Sequence, residues 1–304
     1  MGMAESRSIL FFLGCALLGM SLGSALALLI AHWAGGIDRI DSLSQFVQQV
    51  AQLPNGWYII IAVQAVSHLS SYLVPALTYW YLVEKRRWAD FQTKPLGAVS
   101  GLWMGFLSVI AILPFNELII DWNQHLPLPA LLGSVGEWMH RKEQESGLLT
   151  AQLVAFSSVH QLLIAVGVVG FVAATGEELF FRGVLQRKLM EWTKNTHLSI
   201  WLAAILFSAV HFQFYGFFPR LLLGLLFGYL YYWSGNLWVA ILAHLVNNSL
   251  VVISQYIQQQ PVYRHINFRV DTTTWFWIIA SLVIVVVLLF GFYQLNRSSR
   301  TKLS

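Results

Sequence analysis

The sequence predicts an all-α, polytopic membrane protein. Two observations carry that prediction. Of the 304 residues, 57% are hydrophobic and only 11% are charged, a balance far from that of a soluble domain. The apolar residues also come in runs near the length needed to cross a bilayer as helix. The runs do not alternate with period two, so a β-barrel is excluded.

Eight runs are expected to span: about 9–31, 57–83, 96–120, 151–176, 198–215, 218–234, 236–257 and 274–293, of which the sixth is the shortest. The first is too long for a cleaved signal h-region and is preceded by one basic side chain, Arg7. Its opening "MGMAES" fits a myristoylation pattern, but an acyl chain would add little to eight spans. Tryptophans 57, 80, 88, 122, 192 and 275 fall at run ends, as interfacial anchors do. The polar stretch 121–150 carries a short surface helix near "LLGSVGEWMHRKEQ". No linker divides the chain, so it reads as one membrane domain, 1–304. Within it 1–120 is scaffold, 150–255 a polar-bearing core and 274–293 the last span.

With the N-terminus cytoplasmic, the inner segments hold 12 Lys/Arg and the outer ones 6. The positive-inside rule then places both termini in the cytoplasm. The net charge of +4 is spread along the chain, which gives no footprint for nucleic acid. One cysteine, Cys15, excludes an intrachain disulfide and a thiolate metal site. There is no HExxH, GxSxG, P-loop or GxGxxG.

Ionisable residues inside spans mark functional sites. Glu177 and Glu178 follow the fourth apolar run in "TGEELFFRGVLQRK". Residues four apart share a helix face, so Glu178 is expected to pair with Arg182. Glu177 points about 100° away, toward the side of Phe180, Phe181 and Val184. His211, in "LFSAVHFQF", lies about 16 Å along its span from Ile200, with Phe207 one turn earlier. His244 and Asn248 share a face, with His244 about 13 Å past Gly235. Asn247 is displaced by about 100° and is set aside. His68 and His160 read as packing or hydrogen-bonding residues; His125, His140, His197 and His265 read as solvated, and Glu117 as structural.

Comparable depths let Glu177, Glu178, His211 and His244 converge in a cavity open to the cytoplasm. Such a group can activate water for hydrolysis with a carboxylate and imidazole. Equally, Glu177, His211 and His244 can hold a catalytic metal such as Zn2+ with an open water position. Spacing also leaves room for a proton relay, although the polar residues sit only in the second half of the chain.

Taken in order, Glu177-Glu178-x-x-x-Arg182, Phe207-x-x-x-His211 and His244-x-x-x-Asn248 resemble the three motifs of the CPBP family of intramembrane proteases, the CAAX prenyl endopeptidases and Abi bacteriocin-processing proteins. The resemblance covers about residues 150–255. It implies an all-α membrane hydrolase with its site inside the bilayer, facing the cytoplasm. It implies Glu177 as the water-activating base assisted by His211, His244 and Asn248 at the oxyanion, and Glu178, Arg182 and Phe207 in support. Both metalloprotease and metal-free mechanisms are attached to the family. The implied partners are the lipid bilayer and a peptide or lipidated protein, prenylated or bacteriocin-like. The implied setting is a bacterial plasma membrane. A different class, a non-catalytic immunity or scaffold protein binding a peptide in the same cavity, fits the same residues.

Overall fold

The computed structural model describes residues 2–37, 40, 42–94, 99–263 and 275–301. Arg39, Arg264, His265 and Arg269, and the first residues of the third expected span, lie outside the described residues. The described chain is helical: α1 (Gly2–Gly35), α2 (Leu43–Ala51), α3 (Gly56–Val83), α4 (Val99–Gln124), α5 (Leu128–Leu132), α6 (Ser134–Leu153), α7 (Val159–Thr193), α8 (Thr196–Ala209), α9 (Phe217–Ser234), α10 (Leu237–Gln259) and α11 (Trp275–Thr301). Among the described residues seven helices, α1, α3, α4, α7, α9, α10 and α11, are long and apolar enough to cross a membrane. The protein is an all-α integral membrane protein.

The fifth expected span, 198–215, is instead the 14-residue helix α8. At 1.5 Å per residue it is about 21 Å long, short of the roughly 30 Å hydrocarbon core. The chain leaves the helix at Val210, and Phe212 takes a positive φ of 51°. That left-handed turn is costly for an aromatic residue and directs the backbone into a short 3-10 turn, Phe214–Gly216, before α9. A span-length hydropathy reading passes over this stop, because Val210, Phe212 and Phe214 carry the run across His211 and Gln213.

A second boundary also moves. The fourth run does not end at 176: α7 continues to Thr193. Glu177 therefore lies near the middle of a 35-residue helix rather than at its end. Two π-helical turns, Val166–Val172 and Leu179–Gln186, flank the acidic residues. Such turns are rare and concentrate at functional sites. The amphipathic segment expected within 121–150 forms the 20-residue α6, longer than the short surface helix anticipated.

The bundle has a polar end and a close-packed middle. At the polar end Lys188 reaches Glu84 at 2.6 Å and Glu191 at 2.9 Å, and Tyr79 donates to Glu84 at 2.8 Å. Trp80 stacks on Phe91 with centroids 4.1 Å apart, while Arg86 and Arg187 lie over the Trp80 ring. In the middle α9 approaches α7 and α8 closely through Gly224 and Gly228. Their carbonyls accept hydrogen bonds from Arg182 Nη2 at 2.8 Å and Gln186 Nε2 at 3.2 Å. Donors and acceptors are each spaced by four, so the two helices are laced in register. Lipid offers no hydrophobic drive for helix association, so small residues that admit this approach matter. A Cβ at position 228 would lie 2.9 Å from both Ile200 Cγ2 and Gln186 Oε1.

Replacing Gly228 by Val is expected to cost about 1–3 kcal/mol by overpacking. The readout is the thermal midpoint of the purified protein in detergent. An unchanged midpoint would mean that α7, α8 and α9 do not pack this tightly.

Candidate active site

Glu178 and Arg182 sit on consecutive turns of α7, as helical spacing expects. Arg182 Nη1 donates to Glu178 Oε1 at 2.7 Å, and both side chains are buried, at 0% and 1% exposure. The guanidinium is held from three more directions. Its Nη2 donates to Gly224 O, and its plane lies 4.7 Å from the Phe207 centroid and 5.5 Å from that of Phe227. His244, on α10, adds its Nδ1 at 2.8 Å from the same Glu178 Oε1. A carboxylate only accepts, so Nδ1 carries the proton. The His244 ring stacks on Phe227, with centroids 4.8 Å apart and planes 20° apart.

Glu177 faces elsewhere, as the helical phase predicts, but its nearest partner was set aside at the sequence level. His68, on α3, places Nε2 at 3.0 Å from Glu177 Oε1. On its other side Gln64 Nε2 lies 3.0 Å from His68 Nδ1. With the carboxamide nitrogen as donor, Nδ1 accepts and Nε2 carries the proton donated to Glu177. A hydrogen-bonded line thus runs from Gln64 through His68 to Glu177. Glu177 Oε2 faces His244 Nε2 at 3.8 Å, beyond direct hydrogen-bond reach. The signal for His68 in the sequence was a histidine buried in a span, shared with His160. Only the fold separates them, because His160 lies beside Tyr58.

His211 lies in the turn just after α8, not within a span. Its Nδ1 donates to Phe207 O at 2.7 Å, and its ring meets the edge of Phe207 at 5.3 Å. That bond fixes the tautomer and leaves Nε2 as the basic nitrogen. Asn248 donates from Nδ2 to Val169 O at 3.0 Å, a carbonyl within the first π-helical turn of α7. Asn247, set aside on helical phase, donates to Asn248 Oδ1 at 3.2 Å.

Glu177, His211, His244 and Asn248 line one cavity of about 400 Å3, together with His68, Phe207, Asn247 and Arg220. Glu178 and Arg182 stand behind its wall and outside its lining. Ser146, Leu149, Thr150 and Leu153 of α6 close another side. α6 precedes the first turn of α7, whereas the Lys/Arg-rich 187–194 segment forms its last turns and C-terminal end. The cavity therefore extends toward the end of the bundle that the charge count places outside.

The three residues considered for a metal do not form a ligand set. His244 Nδ1 is held by Glu178 and His211 Nδ1 by a backbone carbonyl, which leaves the Nε2 of each ring uncommitted. Among the described residues no group of three His, Cys, Asp or Glu is arranged to hold a metal ion. As arranged they do not hold a metal, and the chemistry below is derived from the side chains alone.

Residues 159–250 match the family model described as "Type II CAAX prenyl endopeptidase Rce1-like". That segment holds all seven motif residues, from Glu177 to Asn248. The "Uncharacterized protein YpbD" of Bacillus subtilis (strain 168) is 27% identical over 143 residues, which cover 45% of this chain and 69% of that protein. The "Putative membrane peptidase YdiL" of the same organism is 29% identical over 136 residues, 43% of this chain and about half, 54%, of that protein. No solved structure matches the chain. Over residues 159–250, which carry its motifs, the chain is thus similar to the Rce1-like CAAX prenyl endopeptidases, and over 136 residues to a protein named as a membrane peptidase.

Proposed function

We propose that the protein is an intramembrane endopeptidase that hydrolyses a peptide bond of a membrane-anchored, lipidated substrate in a bacterial plasma membrane. One observation carries the reading: Glu177 shares a cavity inside a membrane bundle with three histidines, while its neighbour Glu178 is neutralised separately.

In this mechanism Glu177 takes a proton from a water in the cavity, and the resulting hydroxide attacks the scissile carbonyl carbon. His211 Nε2 accepts a hydrogen bond from the same water and orients it. Negative charge develops on the carbonyl oxygen, and His244 Nε2, when protonated, and the second N–H of Asn248 Nδ2 supply donors for it. Glu177 then passes its proton to the leaving nitrogen, the C–N bond breaks, and a carboxylate and an amine are released. His68 holds Oε1 of Glu177, so Oε2 is the oxygen presented to water. The gap of 3.8 Å between Oε2 and His244 Nε2 fits one bridging water better than a direct bond.

The substrate class follows from the setting. A site within a bundle of membrane helices receives a bond held at membrane depth, and a lipid anchor supplies that depth. The name of the matched family, CAAX prenyl endopeptidase, supports a prenylated peptide as the first to test.

In an assay on purified protein with an S-farnesylated peptide, Glu177→Gln and His211→Ala are each expected to lower kcat by about 100- to 10,000-fold. Full cleavage by both variants would remove these residues from the chemistry. A strong zinc chelator is expected to leave wild-type turnover intact, and its loss on chelation would reinstate a metal.

His68→Phe keeps a ring in place but loses the bond to Glu177. The expectation is a kcat lowered by about 100-fold through misplacement of the base, with KM nearly constant and the acidic limb of the pH–rate profile displaced. An unaltered pH profile would leave His68 a packing residue.

A further inference from the structure

Arg220, on the first turn of α9, is the only Lys or Arg among the described residues that line the Glu177 cavity. It lines a second cavity as well, of about 460 Å3, between α4, α9 and α10. Arg220, Leu223, Asn247 and Val251 form the wall common to both. The guanidinium donates from Nη1 to Gln213 O at 3.3 Å and from Nη2 to Gln213 Oε1. A guanidinium has five N–H donors, and the remainder meet no acceptor among the described residues. Nor does it form an ion pair there: Glu143 and Glu177 act on it only through space. A cation at a membrane cavity without a bonded anion is costly and calls for one.

Asn116, on α4, supplies an independent observation. It is 6% exposed, lines the second cavity, and its Oδ1 has no hydrogen-bond partner. A buried acceptor left this way costs about 1–3 kcal/mol, which a ligand N–H would recover. Leu113, Ile120 and Leu250 make the cavity otherwise largely apolar. Glu117 lies on the same wall and repels an anion, which confines one to the Arg220 side. The cavity thus offers one cation, one hydrogen-bond acceptor and apolar walls. A short peptide with a free α-carboxylate has the complementary groups: an anion, backbone N–H donors and apolar side chains. Its volume, within the roughly 300–1,000 Å3 of small-ligand sites, limits the peptide to a few residues.

The geometry points to Arg220 as the anchor for the C-terminal carboxylate of the substrate, with Asn116 accepting an N–H from the same segment as it lies in the second cavity. This rests on the protease reading of the Glu177 cavity. The peptide bond lies beside Glu177, and the residues after it pass the Arg220 wall. Specificity then comes from a buried charge-assisted pair, which rejects a ligand lacking the charge.

The test uses two S-farnesylated peptides, Cys-Val-Leu-Ala with a free carboxylate and the same peptide as its carboxamide, with the protein in phosphatidylcholine nanodiscs. Cleavage by wild type and binding to Glu177→Gln are both measured. Expected is a preference for the acid of about 10- to 100-fold in KM or Kd. Arg220→Gln should level the two peptides, and Arg220→Lys should keep part of the preference, which separates lost charge from lost fold. Equal treatment of the two peptides by wild type, a preference that survives Arg220→Gln, or binding of neither peptide would overturn the assignment. So would a preference erased by exchanging the lipid for phosphatidylglycerol, since Arg220 would then serve a lipid headgroup. If neither peptide is cut but the acid binds better in an Arg220-dependent way, the subsite stands and the protease reading fails.

Discussion

The ion pair between Glu178 and Arg182 is the interaction on which the site is built. A carboxylate and a guanidinium at 0% and 1% exposure are tolerable only because each satisfies the other. Removing one partner of such a pair costs about 3–5 kcal/mol, because the other charge is left uncompensated. The pair also reaches outward. Arg182 touches the Gly224 carbonyl on α9 and the face of Phe207 on α8, and Glu178 accepts a hydrogen bond from His244 on α10. Four helices that lipid alone would not hold in register are joined at one point. With Glu178 so committed, the adjacent Glu177 carries the charge that remains available to the cavity.

That division of labour was legible in the sequence, because helix geometry alone puts Glu178 over Arg182 and turns Glu177 away. The same holds for the order of the motifs and for the membrane fold, which follow from spacing and hydropathy. What was not legible depends on distance between segments or on backbone irregularity. His68 is 109 positions from Glu177, and nothing in its local sequence distinguishes it from His160. The end of α8 at Ala209 and the π-helical turns of α7 are departures of backbone geometry, which neither hydropathy nor residue spacing encodes. Helical spacing carries the helix past 176, but hydropathy ends the span there for a related reason. A hydropathy run ends at the first charges, but charges that cancel within one turn do not end a span. Asn247 was set aside by a phase argument that holds for an ideal helix, yet a cavity that reaches both residues makes that phase irrelevant.

Orientation ties the electrostatics of the ends to the chemistry of the middle. Lys188, Arg86 and Arg187 gather at the end reached by the last turns of α7, where Glu84 and Glu191 accept the first two and the Asp90 carbonyl accepts Arg187. The cavity leans the other way, toward α6 and the turn after α8. A single chain thus separates the charges that set its insertion from the groups that would do its chemistry.

The shortness of α8 has a consequence for the surrounding lipid. A helix of about 21 Å followed by a turn of irregular backbone at 210–216 leaves polar groups at a depth where acyl chains cannot solvate them. Part of that turn is answered by protein: Asn123 donates to Phe214 O and accepts from Phe218 N, and Glu143 accepts from Tyr215 N. On the lipid side the bilayer must pinch to meet the shorter wall. Hydrophobic mismatch of this kind costs fractions of a kcal/mol per Å. A bilayer matched to that shorter wall would bring acyl-chain length to bear on the turn carrying His211.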